Sequence, residues 1–154
     1  MSELDLAAAV IARLKDQLPD LHGRVAGAVD FLDLVTRGTL PERTPAAFVV
    51  VQADAGDTPQ LTTAGYSYRL TQEFTVVVIE RYAGDQTGDK ARALLVPWRA
   101  ALRTALLGWT PPAEKYEAVG YRTGRTFPLS GSASTAVADQ VGFFTRRLIS
   151  VRTR

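Results

Sequence analysis

Between Tyr66 and Tyr82 the chain carries its strongest β signal, with Leu70, Phe74, Val76 and Val78 on one parity and Thr71, Thr75, Val77 and Ile79 on the other. Side chains alternate across a strand, so a run whose second half is apolar on both parities has no wet face there. Such a strand needs cover on both sides, by helices on one face and by another sheet or a second subunit on the other.

Helices to supply that cover are legible at two places. Leu4, Ala7, Ile11, Leu14 and Leu18 recur at intervals of three and four, which predicts an amphipathic helix over residues 2–18, capped by Ser2 with Asp5 near a capping-box position and stopped by Pro19. A second helix is expected from Asp89 to about Leu107, with Ala91, Leu94, Leu95, Trp98, Leu102, Ala105 and Leu106 on one stripe and Arg92, Arg99 and Arg103 opposite. Pro97 inside it predicts a kink, and Gly108 is placed as its C-terminal stop. Residues 21–34 read either as a strand followed by a helical turn or as a short helix ending near Gly38.

Further strands are expected at Ala47–Gln52, around Phe48-Val49-Val50-Val51, and over Gln140–Val151. Glu117–Arg122 is expected to pair with Arg125–Leu129 through a Thr123-Gly124 corner. The polar segment 83–88 reads as a loop, and the Gly/Ser/Ala-rich stretch 130–138 as mobile. The resulting order, α-β-β-α-β-β-β, predicts an α+β fold, one mostly antiparallel sheet with two helices packed on one face. At 154 residues, 46% of them apolar, with no internal repeat and no long linker, residues 1–154 are expected to form one domain.

Composition narrows the chemistry. Without a single cysteine the chain has no disulfide, thiolate nucleophile, zinc ribbon or iron–sulfur cluster, and one histidine, His22, builds no multi-histidine metal site. The acidic start and the lack of a long apolar run predict neither a secretory signal nor a membrane span. The net charge is only +2, yet residues 1–114 carry 11 basic and 14 acidic side chains and residues 115–154 carry 7 and 2. Those two parts are expected to present opposite signs, suited to head-to-tail contacts in a self-assembling protein.

No motif assigns a catalyst. Residues 83–90 and 120–125 lack the spacing or the Lys-Ser/Thr ending of a phosphate cradle. The pairs Asp30/Asp33 and Asp85/Asp89 have no third or fourth ligand nearby, so they read as solvated acids. Ser130-Gly131-Ser132-Ala133-Ser134 is no nucleophile elbow, and His22 reads as a surface or cap residue. Arg146, Arg147, Arg152 and Arg154, with Phe143 and Phe144 beside them, make a cationic, aromatic end. Alternation sends the two phenylalanines to opposite faces, which favours a positive lining past which DNA slides over a sequence-reading surface.

Residues 104–112, Thr-Ala-Leu-Leu-Gly-Trp-Thr-Pro-Pro, and then Tyr121-Arg122-Thr123-Gly124-Arg125, resemble the tail terminator, or tail completion, proteins of long-tailed bacteriophages and prophages. Pro45-Ala46-Ala47-Phe48-Val49-Val50 and Thr71-Gln72-Glu73-Phe74-Thr75-Val76-Val77-Val78 fit the same pattern in order. The resemblance implies a non-enzymatic subunit with no cofactor or metal, assembled in the host cytoplasm as a homo-oligomer, a hexameric ring on the head-proximal end of the tail tube. Such a ring stops tube polymerisation and joins the tail to the head connector in the neck of the virion, with DNA passing non-specifically through its lumen and no membrane involved. It also implies a structural corner at Leu107, Gly108, Trp109 and Pro111, and makes Arg146, Arg147 and Arg152 candidates for assembly or lumen contacts. Two other readings stay open: a different head–tail connector component, and a small ligand-binding α+β domain.

Overall fold

A computed structural model of the chain describes residues 4–63, 65–82, 89–130 and 135–152. Helix α1 spans Leu6–Gln17, and its cap is Asp5, whose side chain accepts from the Ala8 N–H at 3.2 Å. Ser2, expected in that role, lies outside the described residues. Leu6, Val10 and Leu14 form the buried stripe of α1, at intervals of four. After a 3-10 turn at Pro19–Leu21, which ends on a left-handed His22, come β1 (Val25–Gly27) and α2 (Ala28–Arg37). The segment therefore holds both elements between which the sequence left a choice. Gly38 closes α2 in a left-handed conformation, donating its N–H to the carbonyls of Leu34 and Val35.

Strands β2 (Ala46–Gly56), β3 (Gln60–Thr62) and β4 (Gly65–Arg81) precede α3 (Asp89–Leu106), which runs through Pro97 as one helix. Strands β5 (Gly120–Ser130) and β6 (Thr135–Val151) complete the fold. The sheet order is β1-β2-β4-β6-β5, with β3 paired to β4; among the described residues only β1 and β2 pair in parallel. β4 and β6 pair from Tyr66↔Val151 to Arg81↔Ala136, so the last strand lies inside the sheet. In the sheet order the strands of the more acidic part, β1, β2, β3 and β4, lie together on one side of the sheet and those of the more basic part, β6 and β5, on the other, β4 meeting β6 between them.

Two expectations need correction. Glu117–Arg122 and Arg125–Leu129 do not form a hairpin: β5 is one strand, and the irregularity near Thr123 is a bulge against β6 at Arg122. The bulge inserts a residue without reversing the chain, which a Thr-Gly pair in a strand accommodates as well as a turn does. Nor are the helices confined to one face: among the described residues there are three, α1 and α3 on one face and α2 on the other. Leu6, Val10 and Leu14 of α1 and Ala91, Leu95, Leu102, Ala105 and Leu106 of α3 meet Ala47, Val49, Phe74, Val76, Val78, Val141 and Phe143. Phe31 and Leu34 of α2 meet the opposite parity, Phe48, Val77 and Ile79.

The two-sided apolar stretch of β4 is thereby covered within one chain. At its centre the fully buried rings of Phe74 and Phe143 stack with centroids 5.5 Å apart. Each such ring contributes about 1.5–3 kcal/mol by leaving water. The segment 83–88 and residues 131–134 lie outside the described residues, while 135–138, expected as mobile, begin β6. Among the described residues no helix is long and apolar enough to cross a membrane.

Candidate functional site

The corner after α3 is built from hydrogen bonds on both sides of Gly108. That residue has φ +79, a conformation L side chains rarely adopt, and its N–H donates to Val119 O at 3.1 Å. Trp109 closes the turn by donating to Leu106 O at 3.1 Å and accepting from the Val119 N–H at 2.8 Å. Its indole packs against the larger core, with the Arg13 guanidinium 5.7 Å above the ring. Arg13 also donates to Ala105 O at 3.0 Å, so one side chain of α1 both caps the last turn of α3 and holds the indole. Pro111 is buried and Leu107 is exposed.

The chain leaving this corner runs beside the outer half of β6. Glu117 N–H donates to Arg146 O and Leu148 N–H to Lys115 O, and between them Tyr116 donates its hydroxyl to Gln72 Oε1 at 2.9 Å in a buried site. Strand alternation divides the candidate arginines. Arg147, partly buried, lies over the Tyr116 ring on the α1/α3 face. Arg146 points to the other face, where it and Arg122 flank the ring of Phe144 at 5.3 and 5.4 Å. Arg122 also pairs with Glu73. Arg152 is exposed beyond the end of β6. The three therefore do not converge on one surface.

Two buried acids on the α1/α3 face went unnoticed in the sequence. Asp139 of β6, with 3% of its side chain exposed, accepts from Arg99 Nε at 2.7 Å through Oδ2, and its Oδ1 takes Arg99 Nη2 and the Thr126 hydroxyl, the latter at 3.0 Å. Charge-assisted contacts of this forked kind offset the loss of hydration that burial imposes. The same bonds hold the Arg99 pKa above its ordinary value, although burial works against this. Glu80 of β4 accepts from Trp98 Nε1 at 3.1 Å, and burial pushes its pKa up against that bond and nearby Arg24. The available signal was an acid at an inward parity of an apolar strand, matched by Trp98-Arg99 on the helix above.

Outside this clamp a groove of about 550 Å³ separates α3 from β5 and β6. Arg92, Val96, Arg99 and Arg103 line it at helical spacings that place them on one stripe. Val96 is 70% exposed there, and Arg103 lies over the Tyr121 ring. On α2, Val29, Leu32 and Val35 are 80%, 64% and 54% exposed, a second apolar stripe left in water.

Asp30 and Asp33 sit beside that stripe, with Asp33 paired to Arg37 at 3.1 Å. Asp85 lies outside the described residues, and Asp89 pairs with Arg92. Among the described residues no three His, Cys, Asp or Glu side chains are grouped to hold a metal ion. His22 is exposed, in the cap of the 3-10 turn.

A family model described as "Phage tail terminator protein" matches residues 1–146. No curated protein sequence matches the chain. Among solved structures, a chain from the "Virion of native gene transfer agent (GTA) particle" aligns at a TM-score of 0.57 and 19% identity, over 94% of this chain and 95% of its own. A second solved chain, also 19% identical, aligns over 90% of this chain and 94% of its own at a TM-score of 0.43.

Proposed function

Since the chain belongs to the phage tail terminator family and is thereby a phage tail component of the virion, we propose that it closes the head-proximal end of the tail tube as a homo-oligomeric ring. In this role one α+β domain, residues 1–154, assembles with its copies, a hexamer being the ring the family resemblance suggests. The ring stops addition of tube subunits and offers its far side to the head connector. Assembly takes place in the host cytoplasm and DNA passes through the lumen without sequence-specific contact. The work is mechanical and uses no cofactor.

The observation that carries this reading is the family match over residues 1–146, which includes all three helices and most of the sheet. The exposed stripe on α2 and Val96 on α3 support it, because contiguous apolar surface on a soluble subunit is kept where a partner covers it. In the proposed ring the corner Leu107, Gly108, Trp109 and Pro111 is structural, fixing how the end of α3 meets β5 and β6. Arg146, Arg147 and Arg152 are contact residues on different surfaces, with Arg146 suited to the lumen or connector and Arg147 to the α1/α3 side.

Light scattering of the protein alone and with polymerising tail-tube protein tests the reading. The expected result is a closed ring, in solution or on tube ends, with tubes that shorten in proportion to added protein. Tubes of unchanged length at saturating protein would overturn it and favour a connector role elsewhere in the neck.

A further inference from the structure

Two surfaces of the chain are complementary in chemistry and lie at opposite edges of the sheet. From the geometry we infer that copies of this chain join head to tail, α2 of one copy seating on the arginine-lined stripe of α3 in the next. The inference rests on the ring proposed above and assigns the contact that builds it.

α2 packs at the β1–β2 edge on one face, through Phe31 and Leu34. α3 covers the other face, and its groove opens beside β5, at the far edge. A surface and its complement placed this way cannot meet within one chain. Between copies they repeat with the same rotation each time, which is the heterologous geometry that closes rings.

The chemistry matches in both its apolar and charged parts. Val29, Leu32 and Val35 recur at intervals of three on α2, the anchor spacing of a helix laid into a groove. The groove receives them with Val96 and the stems of its arginines. Beside the α2 anchors stand Asp30 and Asp33, the latter paired with Arg37; beside Val96 stand Arg92 and Arg99, paired with Asp89 and Asp139, and Arg103. The α2 side keeps a net negative charge at Asp30 and the groove a net positive one at Arg103. An acidic, apolar helix thus faces a basic, apolar groove, whereas α2 against α2 would oppose acid to acid and α3 against α3 would oppose arginine to arginine.

Because the chain has no cysteine, disulfide trapping reads the contact directly. Leu32→Cys and Val96→Cys alter exposed side chains and leave the core intact. Oxidised on tube ends, a mixture of the two single variants is expected to give a heterodimer band and nothing larger, and the double variant a ladder ending at the ring. Asp30→Lys is expected to weaken association about tenfold and Arg103→Glu similarly, with the two variants mixed recovering part of the loss.

Homodimers from Leu32→Cys alone, with no heterodimer, would overturn the proposal in favour of a symmetric contact. Absence of all crosslinks from protein that still forms rings and shortens tubes would overturn this contact and leave the ring standing. Protein that neither crosslinks nor shortens tubes would remove the ring reading and this inference with it.

Discussion

Removing Arg99 should cost more stability than neutralising Asp139, although the two form one pair. Only 3% of the Asp139 side chain is exposed against 28% for Arg99, so the carboxylate cannot recover water when its partner leaves, whereas the guanidinium can turn outward. In Arg99→Met the carboxylate keeps only the Thr126 hydroxyl, at 3.0 Å, among its side-chain donors. Breaking a buried pair from that side costs about 3–5 kcal/mol. In Asp139→Asn the amide keeps the shape of the site and one acceptor oxygen, and the loss falls to about 1–3 kcal/mol. Urea unfolding checks both: Arg99→Met should lower the midpoint by roughly 2 M with an unchanged slope, and Asp139→Asn by half that or less. The double variant Arg99→Met with Asp139→Leu should recover most of the deficit, since an apolar replacement of both partners removes the stranded charge. A loss below about 1 kcal/mol for Arg99→Met, or a larger loss for Asp139→Asn, would refute the reasoning.

Glu80 gives a pH signature. Its folded pKa is raised above 4.5 by burial, so its contribution is fully present below that value and is lost as pH climbs through the folded pKa. Glu80→Gln keeps an acceptor for Trp98 Nε1, and thermal melts should show the wild type falling behind this variant as pH rises from 4.5. Gly108→Ala meets nothing within 4 Å, so its cost should be backbone strain alone, about 1–2 kcal/mol, with Gly108→Asn milder by denaturant midpoint. Phe74→Ala empties a fully buried place stacked on Phe143 and should cost about 3–5 kcal/mol in the same assay.

How far the sequence carried depends on the range of the interaction. Periodicity located α1, α3, β2, β4 and β6 because the apolar pattern of each is local, and Gly108 was legible because a left-handed helix stop asks for glycine whatever surrounds it. The 3-residue β1 was ambiguous because its pairing partner, β2, lies about 20 residues away and so short a strand shows no period of its own. α2 was hard to read since Val29, Leu32 and Val35 face water while Phe31 and Leu34 face the sheet, leaving apolar residues around most of its circumference. The hairpin drawn at Thr123-Gly124 failed for a related reason: a turn and a bulge share a composition, and only the register against β6 separates them. Arg146 and Arg147 were grouped by adjacency, and alternation parted them.

Ring closure makes a geometric demand that stability alone does not. If α2 and α3 supply the two complementary surfaces, the angle between them sets how many copies close a ring, and the twist of the sheet from β1 and β2, under α2, to β4 and β6, under α3, contributes to that angle. α2 is fixed to β1 and β2 by Phe31 and Leu34, while the side of α3 nearest its groove is held to β6 by Arg99 and Asp139. The buried pair therefore acts on assembly as well as folding. Asp139→Asn, the milder variant, keeps most of the protein folded and loosens only this side of α3. Mass measurement of its assemblies should find open or mixed oligomers at protein concentrations where the wild type closes. A uniform ring of wild-type mass from a variant of reduced stability would show that the pair serves folding only, and that the angle is fixed by Leu95, Leu102 and Leu106 packing into the core.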